Sequence, residues 1–260
     1  MFEKTLFEAK VIKLLFLCKR KQSNLMGMKS ALKVVMLMLV LAVGCKPDEP
    51  NNGGDNNHLN GHEYVDLGLP SGTLWATCNV GADAPEEVGD YFAWGDTLPK
   101  EMYDWKSYQY ATFVDGYYEL TKYCTDSCCG VNGFIDGLTI LEPIDDAALA
   151  NWGAGWRMPT KEEWEELYQN TDYVWTTQNG MKGRLLTGPN GNSIFFPATG
   201  FRLDGELICT GLGIYWSSTL QTGSQVSAWR FHFNFENCHV CGTYERSRGQ
   251  CVRAVCSRED

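Results

Sequence analysis

Short apolar runs separated by turn residues fill the chain from residue 62 onward and predict a domain built mainly of strands. The clearest alternation places four aromatic residues on one face of a single strand: Trp229, Phe231, Phe233 and Phe235. The intervening polar residues share the other face: Arg230, His232, Asn234 and Glu236. Because successive side chains of a strand point to opposite faces, we expect the aromatic face to lie in the core and the polar face to meet solvent or a ligand.

The two ends of this domain are predicted to meet in one sheet. Residues 63–67 and 73–77 are strand-like segments joined by a Pro-Ser-Gly turn, which indicates a hairpin. Residues 250–255 have the composition of a last strand that brings the C-terminus back to the sheet.

Two helices are expected in the middle of the chain. Asp145 or Asp146 can cap a short helix that ends near Gly153, because carboxylates accept the free amides of a first turn and glycine ends helices. Thr160 and Glu163 have the spacing of a capping box and predict the start of a second helix.

Residues 85–135 are rich in Gly, Asp and Tyr and show no regular period. We therefore expect a long, packed loop region anchored by Trp94 and Trp105. Loops of this length are uncommon unless they serve a function. Two helices combined with many short antiparallel strands define an α+β fold class.

The N-terminal segment resembles a bacterial lipoprotein signal. Lys29 and Lys33 precede an apolar run at residues 34–43, and Cys45 follows it. Ten apolar residues are too few to span a membrane as a helix, so a cleaved signal fits better than a permanent span. We expect residues 1–45 to be leader and signal, with Met26 or Met28 as the true start, and Cys45 to carry the lipid.

A polar segment separates this signal from the folded domain. Residues 46–61 are rich in Asn, Gly and Asp, which predicts a flexible tether before a domain at residues 62–258. Acidic residues directly after Cys45 resemble the export signal of Bacteroidetes surface lipoproteins. The expected location is the outer membrane, with the domain exposed at the cell surface.

The charge of the chain excludes one class of partner. The first 45 residues hold 8 of the 22 basic and 2 of the 32 acidic residues, so the remainder carries a formal charge of −16. Nucleic acid is therefore not an expected partner. Side-chain charge also disfavours contact with an anionic membrane, so the N-terminal lipid is the expected membrane contact.

Nine cysteines follow Cys45, and four of them have a spacing that raises the question of zinc: Cys238, Cys241, Cys251 and Cys256. The second pair lacks the two-residue spacing usual in zinc sites and lies in a strand-like stretch. Disulfides or buried thiols are the favoured interpretation, and no metal or cofactor is predicted.

Five motifs occur in order along the domain: EYVDLGLPSGTLWATCNVG at residues 63–81, GDYFAWG at 89–95, GWRMPT at 155–160, YWSS at 215–218 and GQCVR at 249–253. On these motifs the chain resembles the Fibrobacter succinogenes major paralogous domain family over residues 62–256. The resemblance implies a C-type lectin-like fold with a twisted antiparallel sheet, two helices, adjacent terminal strands and a long loop region. Cys251 stands where this family has serine, so no shared disulfide is assumed.

The anchor, the tether and the aromatic content favour a surface-displayed binding module whose ligand is a glycan or a protein. Its candidate ligand-binding residues are the polar strand face and two neighbours: Arg230, His232, Asn234, Glu236, Tyr244 and Arg246. No catalytic residue and no enzymatic activity are predicted. Two alternatives stay open, which are a copper oxidase resembling the formylglycine-generating enzymes and a structural component of a surface appendage.

Two local motifs bear on ligands and modification. Glu142 and Pro143 resemble part of the Glu-Pro-Asn run of sugar-binding lectins, but Ile144 replaces the amide, so no calcium site is predicted. The run from Asp96 to Leu98 resembles the Bacteroidetes acceptor for O-glycosylation, which makes Thr97 a candidate attachment residue.

Overall fold

The computed structural model describes residues 57–239 and 242–257. The predicted signal, the lipid-attachment residue Cys45 and most of the tether lie outside the described residues. The Cys238–Cys241 pair also falls where side chains are not described. Within the described part of the chain, no helix is long and apolar enough to cross a membrane.

The described residues form short strands and two α-helices. The strands are His58–Leu59 (β1), His62–Asp66 (β2), Leu74–Asn79 (β3), Ala111–Val114 (β4), Tyr117–Leu120 (β5), Asp172–Gln178 (β6), Met181–Thr187 (β7), Ser193–Pro197 (β8), Phe201–Leu203 (β9), Glu206–Ile208 (β10), Gly213–Leu220 (β11), Ser227–Phe233 (β12), Cys238–His239 (β13), Thr243–Glu245 (β14) and Arg253–Cys256 (β15). The helices are Ala147–Trp152 (α1) and Lys161–Asn170 (α2), with 3-10 turns at Val131–Gly133 and Pro143–Asp145.

All paired strands run antiparallel, and they form three sheets and two separate hairpins. The first sheet has the order β1-β2-β3-β15, so the predicted opening hairpin and the return of the last strand are confirmed. The second sheet pairs β12 with β11, β13 and β14, and the third has the order β6-β7-β8. β4–β5 and β9–β10 form the hairpins. An α+β architecture in which β structure predominates is therefore confirmed.

Both predicted helix starts are confirmed in detail. The side chain of Asp146 accepts the amides of Ala148 and Leu149 and so caps α1, which ends at Gly153. At α2, Thr160 and Glu163 form the reciprocal capping box. These caps satisfy amides that the first turn of a helix leaves without an internal acceptor.

Aromatic packing joins α2 to the first two sheets. Trp164 of α2 stacks on Phe231 of β12, with ring centroids 4.6 Å apart, and contacts Trp75 of β3 at 4.7 Å. All three side chains are fully buried. The aromatic periodicity of β12 therefore identifies the face on which the helix packs.

The predicted alternation holds only from Phe231 to the end of β12, because Ala228 is fully buried whereas Trp229, predicted in the core, is only partly buried. Phe231 and Phe233 are fully buried, but Phe235 is 66% exposed. The prediction that Phe235 lies in the core is wrong because β12 ends at Phe233 and the chain turns there. The side chain of Asn234 accepts the amides of Glu236 and Asn237, and this turn removes Phe235 from the strand face.

A buried arginine connects the first and third sheets. Arg253 of β15 donates Nε to Asn79 Oδ1 at 2.8 Å and Nη1 to the carbonyls of Ala76 and Thr77 at 3.0 and 2.7 Å. Its Nη2 donates to the carbonyl of Phe195 in β8 at 3.0 Å. One guanidinium group thus supplies hydrogen bonds to β3 and β8, which belong to different sheets.

The long loop region is partly regular, contrary to the prediction for residues 85–135. It contains the β4–β5 hairpin, in which Asp115 and Gly116 form the turn between strands of four residues. Trp94 is fully buried as predicted, and its Nε1 donates to the carbonyl of Ser217 at 2.8 Å. Trp105 is only partly buried and packs against the core.

Candidate ligand-binding surface

The polar face predicted as the ligand site is partly covered by the chain itself. Arg230, His232 and Tyr244 are each partly buried. The Arg230 guanidinium lies over the Tyr244 ring at 4.3 Å, and the Tyr244 ring packs edge-on against Phe201 at 5.0 Å. β14 pairs with β12 and so places Tyr244 beside Arg230. These side-chain contacts stabilise the packing of β14 on β12.

Asn234 and Glu236 do not continue that face. The backbone carbonyl of Asn234 accepts Arg184 Nε and Nη2, at 3.0 and 2.9 Å, while its side chain holds the turn after β12. Glu236 is exposed in the same turn. The alternation in the sequence predicted one continuous surface. In the structure, these residues form a strand face followed by a turn.

Arg246 does not lie at the surface, so the prediction that it contacts a ligand there is wrong. Its side chain is fully buried. The guanidinium lies 5.5 Å from the ring centroids of both Trp94 and Tyr108, and Nη1 donates to the carbonyl of Tyr123 at 2.9 Å. Arg246 therefore fills the interior beneath the long loop region.

Exposed large hydrophobic side chains are concentrated in and directly after that loop region. Fourteen occur among the described residues, and nine fall between residues 98 and 144: Leu98, Met102, Phe113, Tyr117, Tyr118, Phe134, Ile135, Ile140 and Ile144. Scattered exposed apolar residues are ordinary, but their concentration in one segment is typical of an interaction surface. The segment with the least regular sequence pattern thus has the most apolar exposure.

Four aromatic residues lie on or beside the β4–β5 hairpin. We refer to them together as the aromatic hairpin: Trp105, Phe113, Tyr117 and Tyr118. Phe113 and Tyr118 are directly opposite in the strand register, and their ring centroids are 5.1 Å apart. Trp105 lies 6.4 Å from Tyr118 with its ring tilted by 31°. Phe113, Tyr117 and Tyr118 are 63%, 77% and 41% exposed, respectively.

The register places two of these rings together on one side of the hairpin. Cross-strand partners in an antiparallel pair project to the same face, so Phe113 and Tyr118 share a face with Trp105 beside them. Tyr117 pairs with Val114 and projects to the opposite face near the turn. The hairpin therefore presents aromatic rings on both faces, one of which has a supporting tryptophan.

A charged cluster lies at the base of this hairpin. The Asp145 carboxylate accepts hydrogen bonds from the hydroxyls of Tyr110 and Tyr123 and from Lys122 Nζ, the last at 2.6 Å. Lys122 Nζ also pairs with Glu142 Oε2 at 2.5 Å. The Lys122 ammonium thus lies between these two carboxylates and forms an ion pair with each of them.

The titration properties of this cluster follow from its contacts. Partial burial opposes the charge of Lys122, but hydrogen bonds to Asp145 and Glu142 outweigh it and raise the pKa of the ammonium. Burial likewise opposes ionisation of Asp145, but its three donors hold the carboxyl pKa below the usual value. Burial and the nearby carboxylate both raise the phenol pKa of Tyr110 and Tyr123. The ion pair therefore persists across the neutral range.

An apolar groove of about 390 Å³ is lined by residues of α1, β11 and the segment before α2, together with Ile140, Leu141 and Pro143. Trp156 and Met158 contribute apolar surface. The Arg157 guanidinium is already paired with Glu163 at 2.5 Å, and the Asp146 carboxylate already accepts three backbone amides. These lining charges are engaged in the fold, so the groove is a weaker candidate than the aromatic hairpin.

The cysteines whose side chains are described are seven free thiols: Cys78, Cys124, Cys128, Cys129, Cys209, Cys251 and Cys256. Burial raises the thiol pKa of Cys251, and raises that of Cys256 to about 11. Among the described residues, no group of three or more metal-ligating side chains is placed to hold a metal ion.

Thr97 lies at the edge of the loop region. Its side chain is partly buried and its carbonyl accepts Asn151 Nδ2 at 3.0 Å. Its neighbour Asp96 is buried and paired with Lys100 at 2.6 Å, whereas Leu98 is exposed. O-glycosylation of Thr97 stays a prediction.

Comparisons with protein-family models, curated proteins and solved structures find no match to this chain. The resemblance drawn from the five sequence motifs therefore stays a prediction.

The aromatic hairpin was not among the sequence-based predictions, although its signal is present in the sequence. Residues 111–120 contain two strand-like segments around an Asp-Gly step, which is a strong hairpin pattern.

Proposed function

We propose that this chain is a non-enzymatic binding module and that the aromatic hairpin is its contact surface for a protein ligand. The observation that carries the proposal is the exposure of Phe113, Tyr117 and Tyr118 on one hairpin, beside Trp105. Aromatic side chains contribute large contact areas at low entropic cost and are enriched at the centres of protein interfaces. Leaving three such rings in water is unfavourable unless a ligand covers them.

Exposed aliphatic residues of the same loop region favour a protein over a glycan. Leu98, Met102 and Ile135 are exposed, and none of them offers a flat ring on which a sugar can stack. Protein interfaces use such residues together with aromatic ones. The formal charge of −16 after residue 45 further favours a partner with a basic rim.

The proposed setting is the outer membrane surface, where a lipid on Cys45 and the tether at residues 46–61 hold the domain away from the bilayer. We also propose a C-type lectin-like fold of the Fibrobacter succinogenes major paralogous domain type. Its support is the pairing of β3 with β15 near the chain ends, the two helices and the long loop region. Fold alone does not specify function, so the contact surface is argued from its own residues.

Site-specific photo-crosslinking in intact cells tests the contact surface. A photoreactive phenylalanine at Tyr117 should capture one defined protein, whereas the same group at Val174, which is also exposed, should not. The dissociation constant for that protein should rise by about 100-fold or more in the triple variant Phe113→Thr, Tyr117→Thr, Tyr118→Thr.

The matched control is a triple variant of exposed apolar residues outside the loop region, Val174→Thr, Leu207→Thr, Phe235→Thr. Its dissociation constant should stay within about threefold of the wild-type value. Equal loss in both variants would contradict the assignment of the contact surface. A glycan that binds the wild type but not the first variant would replace the protein ligand with a sugar.

A further inference from the structure

Three cysteines lie in one short loop directly after the aromatic hairpin. Cys124 is buried, Cys128 is exposed and Cys129 is partly buried, and all three are free thiols. Burial, the Asp126 carboxylate and the two neighbouring thiols raise the thiol pKa of Cys129, which is consistent with close packing of the three side chains. Cys124 and Cys129 are the two ends of a six-residue segment.

One backbone carbonyl joins the two ends of this segment. The carbonyl oxygen of Asp126 accepts the Cys129 amide at 3.0 Å and the Cys124 thiol at 3.1 Å. The Cys124 sulfur and the Cys129 nitrogen are therefore no farther apart than the sum of these two distances. The Cys124 thiol therefore lies beside the backbone of Cys129, as a disulfide between these two residues requires.

The third cysteine is a poorer partner for either thiol. The Cys128 amide is held by Asp126 Oδ1 at 2.9 Å, and its side chain is exposed while Cys124 is buried. A bond between Cys128 and Cys129 would join adjacent residues, whose Cα atoms are only about 3.8 Å apart across a trans peptide. Such a bond would be strained.

We propose that Cys124 and Cys129 form a disulfide that fixes the base of the aromatic hairpin. The two thiols lose two protons and two electrons as the S–S bond forms, and a disulfide of a thiol–disulfide oxidoreductase or of oxidised glutathione is reduced to two thiols. The raised pKa of Cys129 makes uncatalysed oxidation slow, because the thiolate is the reactive form. The bond requires an oxidising compartment but no particular ligand.

The consequence for the hairpin follows from its hydrogen bonds. The Leu120 amide, at the end of β5, donates to the carbonyl of Cys129 at 2.8 Å, and Leu120 forms a parallel bridge with Gly130. β5 carries Tyr117 and Tyr118. A disulfide at Cys129 therefore restricts the segment that anchors β5, the strand that carries the exposed tyrosines.

Peptide mapping of the full chain in a glutathione redox buffer tests the pairing. Free thiols are alkylated, and the protein is digested without reduction by a protease that cleaves before aspartate. Residues 115–125 and 126–135 should appear as one disulfide-linked species with the alkyl group on Cys128. Cys129→Ser should lower its yield by about tenfold, and Cys128→Ser should leave it unchanged. Unlinked peptides, or an alkyl group on Cys129 in the linked species, would overturn the pairing.

Amide hydrogen exchange tests the effect on the hairpin separately. The Leu120 amide should exchange about tenfold more slowly in the oxidised protein than in the reduced one, in both the wild type and Cys128→Ser. A disulfide that forms without slowing this exchange would overturn the proposed restraint. Neither readout uses a ligand, so failure here is distinguishable from failure of the proposed protein-binding function.

Discussion

Arg253→Met is expected to destabilise the domain more than any exposed arginine substitution, because it removes four hydrogen bonds from the interior. Methionine keeps most of the apolar stem but leaves four acceptors without their donor. Three of these acceptors are backbone carbonyls and the fourth is Asn79 Oδ1. The guanidinium also lies over the Phe196 ring at 4.5 Å, and that contact is lost as well.

The size of the effect is set by two opposing terms. Each buried acceptor left without a donor costs about 1 to 3 kcal/mol. Removing the buried positive charge returns part of this cost, since a buried ion carries a desolvation penalty of several kcal/mol. The net loss should be about 3 to 5 kcal/mol, because four buried acceptors at about 1 to 3 kcal/mol each outweigh the desolvation penalty that is relieved. Domains are stable by only about 5 to 15 kcal/mol, so the variant should be close to its unfolding threshold.

Urea unfolding followed by tryptophan fluorescence measures this loss. The matched control is Arg248→Met, because Arg248 is partly exposed and pairs with Glu245 in an ion pair near the surface. The control should lose less than about 1 kcal/mol. Arg253→Lys should be intermediate, because an ammonium lacks the planar fork that reaches two strands. A loss below about 1 kcal/mol for Arg253→Met would refute the reasoning.

Three further predictions concern the charged cluster, a helix cap and the end of β12. Although burial opposes both charges, hydrogen bonds raise the pKa of Lys122 above its ordinary 10.5 and lower that of Asp145 below 3.8. Unfolding measured at several pH values should therefore show that the wild type is more stable than Lys122→Met by a constant free energy between pH 3.8 and pH 10.5. This difference should shrink above pH 10.5 and below pH 3.8. A difference that does not vary with pH would contradict the ion pair. Thr160→Ala should lose about 1 kcal/mol in urea unfolding, and no loss would contradict the capping role. Phe233→Ala should lose about 3 to 5 kcal/mol but Phe235→Ala less than about 0.5, and equal losses would place Phe235 in the core.

Local elements of this fold were predictable from the sequence where a short pattern of residues determines a single local structure. The Thr160 and Glu163 capping box and the Asp146 cap need only the residues within one helical turn. The opening hairpin was predictable from strand-like segments on either side of a turn. The return of the last strand to β3 agreed with the sequence, although the pairing itself depends on residues far apart in the chain.

The candidate site was not predictable from the same patterns. Alternation placed Arg230 and His232 correctly on the polar face of β12, but it cannot tell where a strand ends or what covers a face. β14 and the turn at Asn234 decide both. Arg246 was grouped with this face as a sequence neighbour of Tyr244, and only the tertiary packing of Trp94 and Tyr108 encloses it.

The position of Lys122 has a practical consequence for how this domain responds to its surroundings. A tethered ammonium cannot diffuse away from Asp145 and Glu142 as a bound ion can. The charge that these two carboxylates face is therefore part of the chain and follows the pH of the solution. The loop that bears the exposed rings should loosen in alkaline solution, as the pH passes the raised pKa of Lys122.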